Sequence, residues 1–121
     1  MKKYVDGFVL CVPKKNMKSY KKMAEYGANM WMKNGAIEYM ECKGNDLKGI
    51  PGSITFPKLA KAKKDEIVMF SFIVYKSKAD RDRINKKVMS NPKMEEDMKK
   101  LGMPFDMKKM AYGGFETIVC R

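Results

Sequence analysis

Residues 66–75, EIVMFSFIVY, are the most strand-like stretch of the chain. From Ile67 to Tyr75 they form an almost unbroken run of β-branched, aromatic and aliphatic side chains, interrupted only by Ser71. A run of this length with Asp65 before it and Lys76 after it reads as a strand, since a helix of ten residues would show polar positions every third or fourth place. Strands that alternate have one wet face. This one does not alternate, so it is expected at the centre of a sheet with cover on both faces.

Outward from that strand the pattern becomes regular. Ser77-Lys78-Ala79-Asp80 has capping-box form and opens a helix in which Arg81, Ile84 and Val88 share one face. Asn91-Pro92 ends it and restarts a short helix over 93–101, closed by Gly102. Residues 111–120, AYGGFETIVC, read as a last strand. On the N-terminal side, 4–12, YVDGFVLCV, is a strand closed by Pro13, with Asp6 and Gly7 as its unusual members. Residues 16–34 form a helix with Asn16 as N-cap and with Met17, Tyr20, Ala24, Gly27, Ala28 and Trp31 on one face. Residues 36–43 are a second strand. The connection 44–65 carries Gly44, Gly49, Pro51 and Gly52 with a few apolar anchors, and is expected to act as a flap over a ligand between sheet and helices.

The order is therefore β-α-β-β-α-β. This predicts an α+β fold of ferredoxin-like type, an antiparallel sheet with its helices on one face, in a single domain over residues 1–121. The other face of a sheet that contains so apolar a strand needs cover, and a second copy of the same sheet supplies it most simply. A homodimer through the sheet face or a sheet edge is expected.

Composition narrows function mainly by exclusion. The chain has 121 residues, 45% hydrophobic and 33% charged, enough for one compact core. It has 0 His, which removes Ser-His-Asp and Cys-His catalysis and His-ligated metal. Cys11, Cys42 and Cys120 are odd in number and widely spaced, a poor disulfide or zinc set, so no metal is expected and buried thiols in strands are the plainer reading. No stretch approaches the roughly 20 apolar residues of a membrane span, and the N-terminus lacks a signal-peptide core. A cytoplasmic protein without membrane contact is expected. The 26 basic against 14 acidic residues give a net charge of +12. Most of the bases are lysines spread over the whole chain, and base recognition favours the arginine fork, so nucleic acid is disfavoured as a partner.

Several residue groups then resemble one family. They are Tyr4-Val5-Asp6-Gly7-Phe8, Glu41-Cys42, Phe70-Ser71, Ser77-Lys78-x-x-Arg81-Asp82, Asn91-Pro92-x-Met94, and the stretch from Met103-Pro104-Phe105-Asp106 through Tyr112-Gly113-Gly114-Phe115-Glu116. Together they resemble the bacterial YbaA-like family, a domain-of-unknown-function family, along essentially the whole chain. Lys109 departs from the arginine expected there, which weakens an anion fork at that place. The resemblance implies a dimeric α+β barrel and no established activity or cofactor.

Four constellations remain. Asp6, Glu41 and Glu116 lie inside predicted strands, and Asp6 and Glu116 could meet across neighbouring first and last strands to form an acid–base site. The plainer reading pairs these acids with Arg81, Lys108 or Lys109. Phe8, Trp31, Tyr39, Phe72 and Tyr112 are the aromatic candidates for lining a ligand pocket between sheet and helices, against a plain core reading. Gly113-Gly114 marks a bulge or a close approach. The thirteen methionines read as core gap-fillers before they read as a binding groove. The leading expectation is a homodimer that binds a small, partly apolar ligand without a cofactor, with turnover left open. The alternatives are a cofactor-independent monooxygenase-like enzyme and a lysine-rich nucleic-acid or protein interaction module.

Overall fold

The computed structural model describes residues 2–121. Four strands, β1 (Tyr4–Pro13), β2 (Glu38–Lys43), β3 (Glu66–Tyr75) and β4 (Ala111–Glu116), form one sheet in the order β2-β3-β1-β4. Every pairing is antiparallel. Helices α1 (Met17–Lys33), α3 (Lys78–Met89) and α4 (Pro92–Leu101) are joined by a short α2 (Phe56–Ala60). This is the ferredoxin-like α+β arrangement, with one helix added before the last strand.

Register decides which side chains meet the helices. Asp6 faces Ile73 on one side and Gly114 on the other, while Phe8 faces Ser71 and Tyr112. Tyr39 faces Ile73 and Glu41 faces Ser71. Strand side chains alternate faces, so Asp6, Phe8, Leu10 and Val12 point with Met69, Ser71, Ile73 and Tyr75 toward α1 and α3. The buried core has two parts on this side. One gathers Ala36, Ile73, Tyr75, Ile84, Val88 and Met94, and the other gathers Leu10, Val12, Tyr20, Ala24 and Met69.

The opposite face is covered unevenly. The 44–65 connection and α2 lie on it, with Phe56 against Phe70 (ring centroids 6.3 Å apart) and the Cys11 thiol donating to the Ala60 carbonyl at 3.5 Å. The expected flap thus closes the face away from the helices. Strand parity is the reason, because Cys11 and Val68 point away from Leu10 and Met69 and need their own cover. The rest of that face leaves Met40, Phe70 and Phe115 exposed, so β3 is less completely covered within one chain than its sequence suggests.

Local differences have local causes. Asn16 makes no side-chain cap; a single 3₁₀ turn at Lys14–Asn16 leads into α1, and the Asn16 amide donates instead to the Pro104 carbonyl at 3.0 Å. Ser77 caps α3 through Asp80 N–H, and Asn91 caps α4 through Lys93 N–H. β4 stops at Glu116 rather than continuing to 120, because Thr117 takes both backbone groups of Lys3 just outside the start of β1. Cys42 is exposed and Cys120 is half-buried beyond the end of β4, against the expectation of three buried thiols in strands.

Candidate functional site

A cavity of about 470 Å³ lies between the sheet and helices α1, α3 and α4. Its floor is Asp6, Phe8 and Leu10 of β1, Tyr39 and Glu41 of β2, Ser71 and Ile73 of β3, and Tyr112 of β4. One wall is the inner face of α1, from Tyr20 to Trp31, and Asn85 of α3 contributes at one end. The roof is methionine-rich: Met89, Met94 and Met98 from the helices, then Met103, Phe105, Met107 and Met110 from the segment before β4. Met89, Met103, Met107 and Tyr112 are large, exposed and in the lining, so they mark the mouth.

Gly27 lets the β2 wall of the cavity come close to α1. A Cβ placed there would stand 3.2 Å from the Tyr39 hydroxyl and 3.9 Å from the Trp31 ring. Its neighbours are fixed by hydrogen bonds. Trp31 Nε1 donates to Asn85 Oδ1 at 2.9 Å, and the Tyr75 hydroxyl donates to the same oxygen at 3.1 Å. A single α3 side chain thereby orients α1 and β3 together.

Two carboxylates sit in the lining with different surroundings. Glu41 accepts from the Tyr20 hydroxyl at 2.6 Å and the Tyr39 hydroxyl at 2.9 Å. Burial, reinforced by the Glu41 charge, holds both tyrosine pKa values far above the ordinary range, so both remain protonated donors. Asp6 is 1% exposed. Its partner is Arg81 of α3, whose Nε stands 3.7 Å from Asp6 Oδ1, too long for a hydrogen bond. Both atoms lack a hydrogen-bond partner among the described residues. Arg81 is held instead by the hydroxyls of Tyr4 (3.0 Å) and Tyr112 (3.2 Å), by Asp82 (3.3 Å), and by the Tyr4 ring 4.9 Å below its guanidinium. Burial, then the Asp6 charge, raises the pKa values of Tyr75 and Tyr112.

The glycines of β4 belong to this arrangement. Gly114 lies opposite Asp6, and a Cβ there would collide with the Tyr4 hydroxyl and the Arg81 guanidinium. Gly113 pairs with Gly7 on the other face, where a Cβ at either position would stand 3.4–3.5 Å from the Phe115 ring. The close approaches at the paired glycines are therefore a guanidinium on one face and an aromatic ring on the other.

The candidate residues of the sequence reading separate cleanly. Asp6, Glu41, Phe8, Trp31, Tyr39 and Tyr112 line the cavity. Arg81 stands behind Asp6 rather than in the lining. Phe72 points to the opposite face, in contact with Phe70, and is corrected as a lining residue. Glu116 is exposed, in register with Tyr4, in a surface cleft with Lys2 and residues 117–121, so no Asp6–Glu116 site forms. Glu41 is two strands and two residues from Asp6, roughly 12 Å at standard strand spacing, and the two acids act separately. Lys109 pairs with Glu66 at 2.6 Å and ties the start of β4 to β3. The sequence reading missed the roof: seven of the thirteen methionines line the cavity. The i, i+4 pair Met94 and Met98 and the cluster 103–110 were the available signal.

Comparison with known proteins adds the family. The family described as "Protein of unknown function (DUF1428)" matches residues 3–107. The Uncharacterized protein YbaA of Escherichia coli (strain K12) is 44% identical over 118 residues, covering 97% of each chain. The Uncharacterized protein YbaA of Shigella flexneri matches to the same extent, 44% over 118 residues and 97% of each chain. Among solved structures, a dimeric ferredoxin-like protein from an uncultured marine organism covers 100% of this chain and 98% of its own, with a TM-score of 0.58 at 10% identity. That likeness is one of fold.

Proposed function

This chain belongs to the DUF1428 family of proteins of unknown function, and from that premise we propose that it is a homodimer whose subunits each bind a small, partly apolar ligand in the cavity between sheet and helices. The observation that carries the reading is the cavity of about 470 Å³ with its aromatic and methionine lining. Packed interiors rarely leave such space, and ligand sites of this size are typically apolar with a few convergent polar groups. Flexible thioethers at the mouth adapt to ligand shape without strain. The dimer is supported by the apolar outer face bearing Met40, Phe70 and Phe115, and by a structural neighbour described as dimeric. No helix among the described residues is long and apolar enough to cross a membrane. A cytoplasmic location is proposed on the three free cysteines, which suit a reducing compartment.

Native mass spectrometry of the protein purified from its own cells tests both parts. The expected species has twice the 14.0 kDa chain mass plus a discrete small-molecule increment. A bare monomer at micromolar concentration overturns the reading.

A second reading is favoured by the carboxylate with an unpartnered oxygen. Asp6 or Glu41 would take a phenolic proton from an oxidisable aromatic, and the substrate itself would supply the electrons that reduce dioxygen. Oxygen uptake with a hydroquinone, abolished by Asp6→Asn or Glu41→Gln in a folded protein, is the result that would establish turnover.

A further inference from the structure

The charge in the cavity has one sign. The chain carries 26 lysines and arginines, yet the only charged residues in the lining are Asp6 and Glu41. Asp6 is answered from behind by Arg81. Glu41 is not: it accepts from Tyr20 and Tyr39, and no ion pair among the described residues reaches it. Asp6 itself is 1% exposed and keeps an oxygen without a hydrogen-bond donor. Placing an uncompensated carboxylate against an apolar wall is costly unless something returns the lost hydration. Two neutral hydroxyls return part of it; a cation returns more.

Beside Glu41 stand aromatic side chains. Tyr39 lies two places before it on the same face of β2 and donates its hydroxyl to it, and that hydroxyl and the Trp31 ring both pack at Gly27. Aromatic faces next to a carboxylate are a setting for an ammonium group, attracted by the ring quadrupole and by the anion. We propose that the cavity selects an organic amine: a ligand with an apolar or aromatic body lying under the methionine roof and one ammonium group between Glu41 and the rings of Tyr39 and Trp31. The inference rests on the cavity being the ligand site. It runs against the overall charge of +12, which at long range favours anions, so an amine preference must come from the cavity itself.

Trp31 is the one tryptophan of the chain and lies in the lining, so its fluorescence reports occupancy. Wild-type protein is titrated at about 0.15 M salt, where long-range attraction is screened, with phenylbutylamine, the matching phenylbutanol and the matching phenylbutanoate. The amine is expected to bind about tenfold or more tighter than the alcohol, as a charge-assisted contact requires, and the carboxylate most weakly. Glu41→Gln should bring the amine down to the alcohol. If that variant fails to fold, the wild-type ranking decides alone. Alcohol or carboxylate binding as tightly as the amine overturns the amine preference while leaving the cavity as an apolar site. An unmoved Trp31 signal with all three overturns the amine class and the cavity reading together.

Discussion

The ion pair behind the cavity makes an asymmetric prediction. Asp6 is 1% exposed and the Arg81 side chain 18% exposed. In Asp6→Asn the arginine keeps Asp82 at 3.3 Å and the hydroxyls of Tyr4 and Tyr112, so its charge stays compensated. The cost is then about 1–2 kcal/mol, the order of one charge-assisted contact. In Arg81→Met the Asp6 carboxylate loses its cation with almost no access to water, which costs about 3–5 kcal/mol for a buried pair broken from one side. The partial exposure of Arg81 places the expectation toward the lower end. At about 2.1 cal/mol/K per residue, a chain of 121 residues loses roughly 4 °C of Tm per kcal/mol. Thermal unfolding at fixed protein concentration, followed by circular dichroism, should then show Asp6→Asn lowered by about 4–8 °C and Arg81→Met by about 12 °C or more. The double variant, with neither charge buried, should recover most of the difference. Equal losses in the two single variants, or a larger loss in Asp6→Asn, would refute the reasoning, since either result would mean that Arg81 depends on Asp6 at least as much as Asp6 depends on Arg81.

The remaining expectations concern other parts of the molecule. Gly27→Ala should gain up to about 1 kcal/mol of helix propensity, while its Cβ presses the Tyr39 hydroxyl at 3.2 Å. Tm should hold or rise and ligand titrated through Trp31 should bind more weakly; a fall in Tm would mean that Tyr39 cannot give. The Lys109 hydrogen bond, with the Lys63 amide, holds the Glu66 carboxyl below its ordinary pKa, and Glu66 in turn raises the pKa of Lys109. The stability from this pair is present above the unfolded Glu pKa and is lost as pH falls through the depressed folded value. At the alkaline end it is lost as pH rises through the raised lysine value. Glu66→Gln should therefore separate from wild type between those limits and converge with it in acid; a pH-independent gap in melting temperature would contradict the pairing. Phe115→Asp places a charge on the exposed outer face over Gly7 and Gly113. Sedimentation should show a shift toward monomer, and an unchanged dimer would move the interface elsewhere.

How much of this was legible in the sequence depends on how local the signal was. β3 was read to its end residues because a run from Ile67 to Tyr75 broken only by Ser71 allows no other element. The cap at Ser77 was legible because capping is a contact over two or three residues. Gly7, Gly113 and Gly114 announced close approaches, and the structure supplies them, but what approaches was not readable: it comes from Phe115 and Arg81, placed by strand register. Register also decided the two corrected residues. Phe72 is an aromatic in the same strand as Ile73, one place along, and that single place turns it to the other face. Glu116 lies two places from Gly114, the residue that faces Asp6. The flap went to the wrong side for the same reason, since nothing in 44–65 says which face its apolar anchors will meet. The methionine roof was hidden by chemistry rather than by distance. Methionine fills gaps and lines adaptable grooves with the same side chain, so composition cannot tell the two uses apart. What separates them is whether the space beneath is filled, and here about 470 Å³ beneath the roof is open.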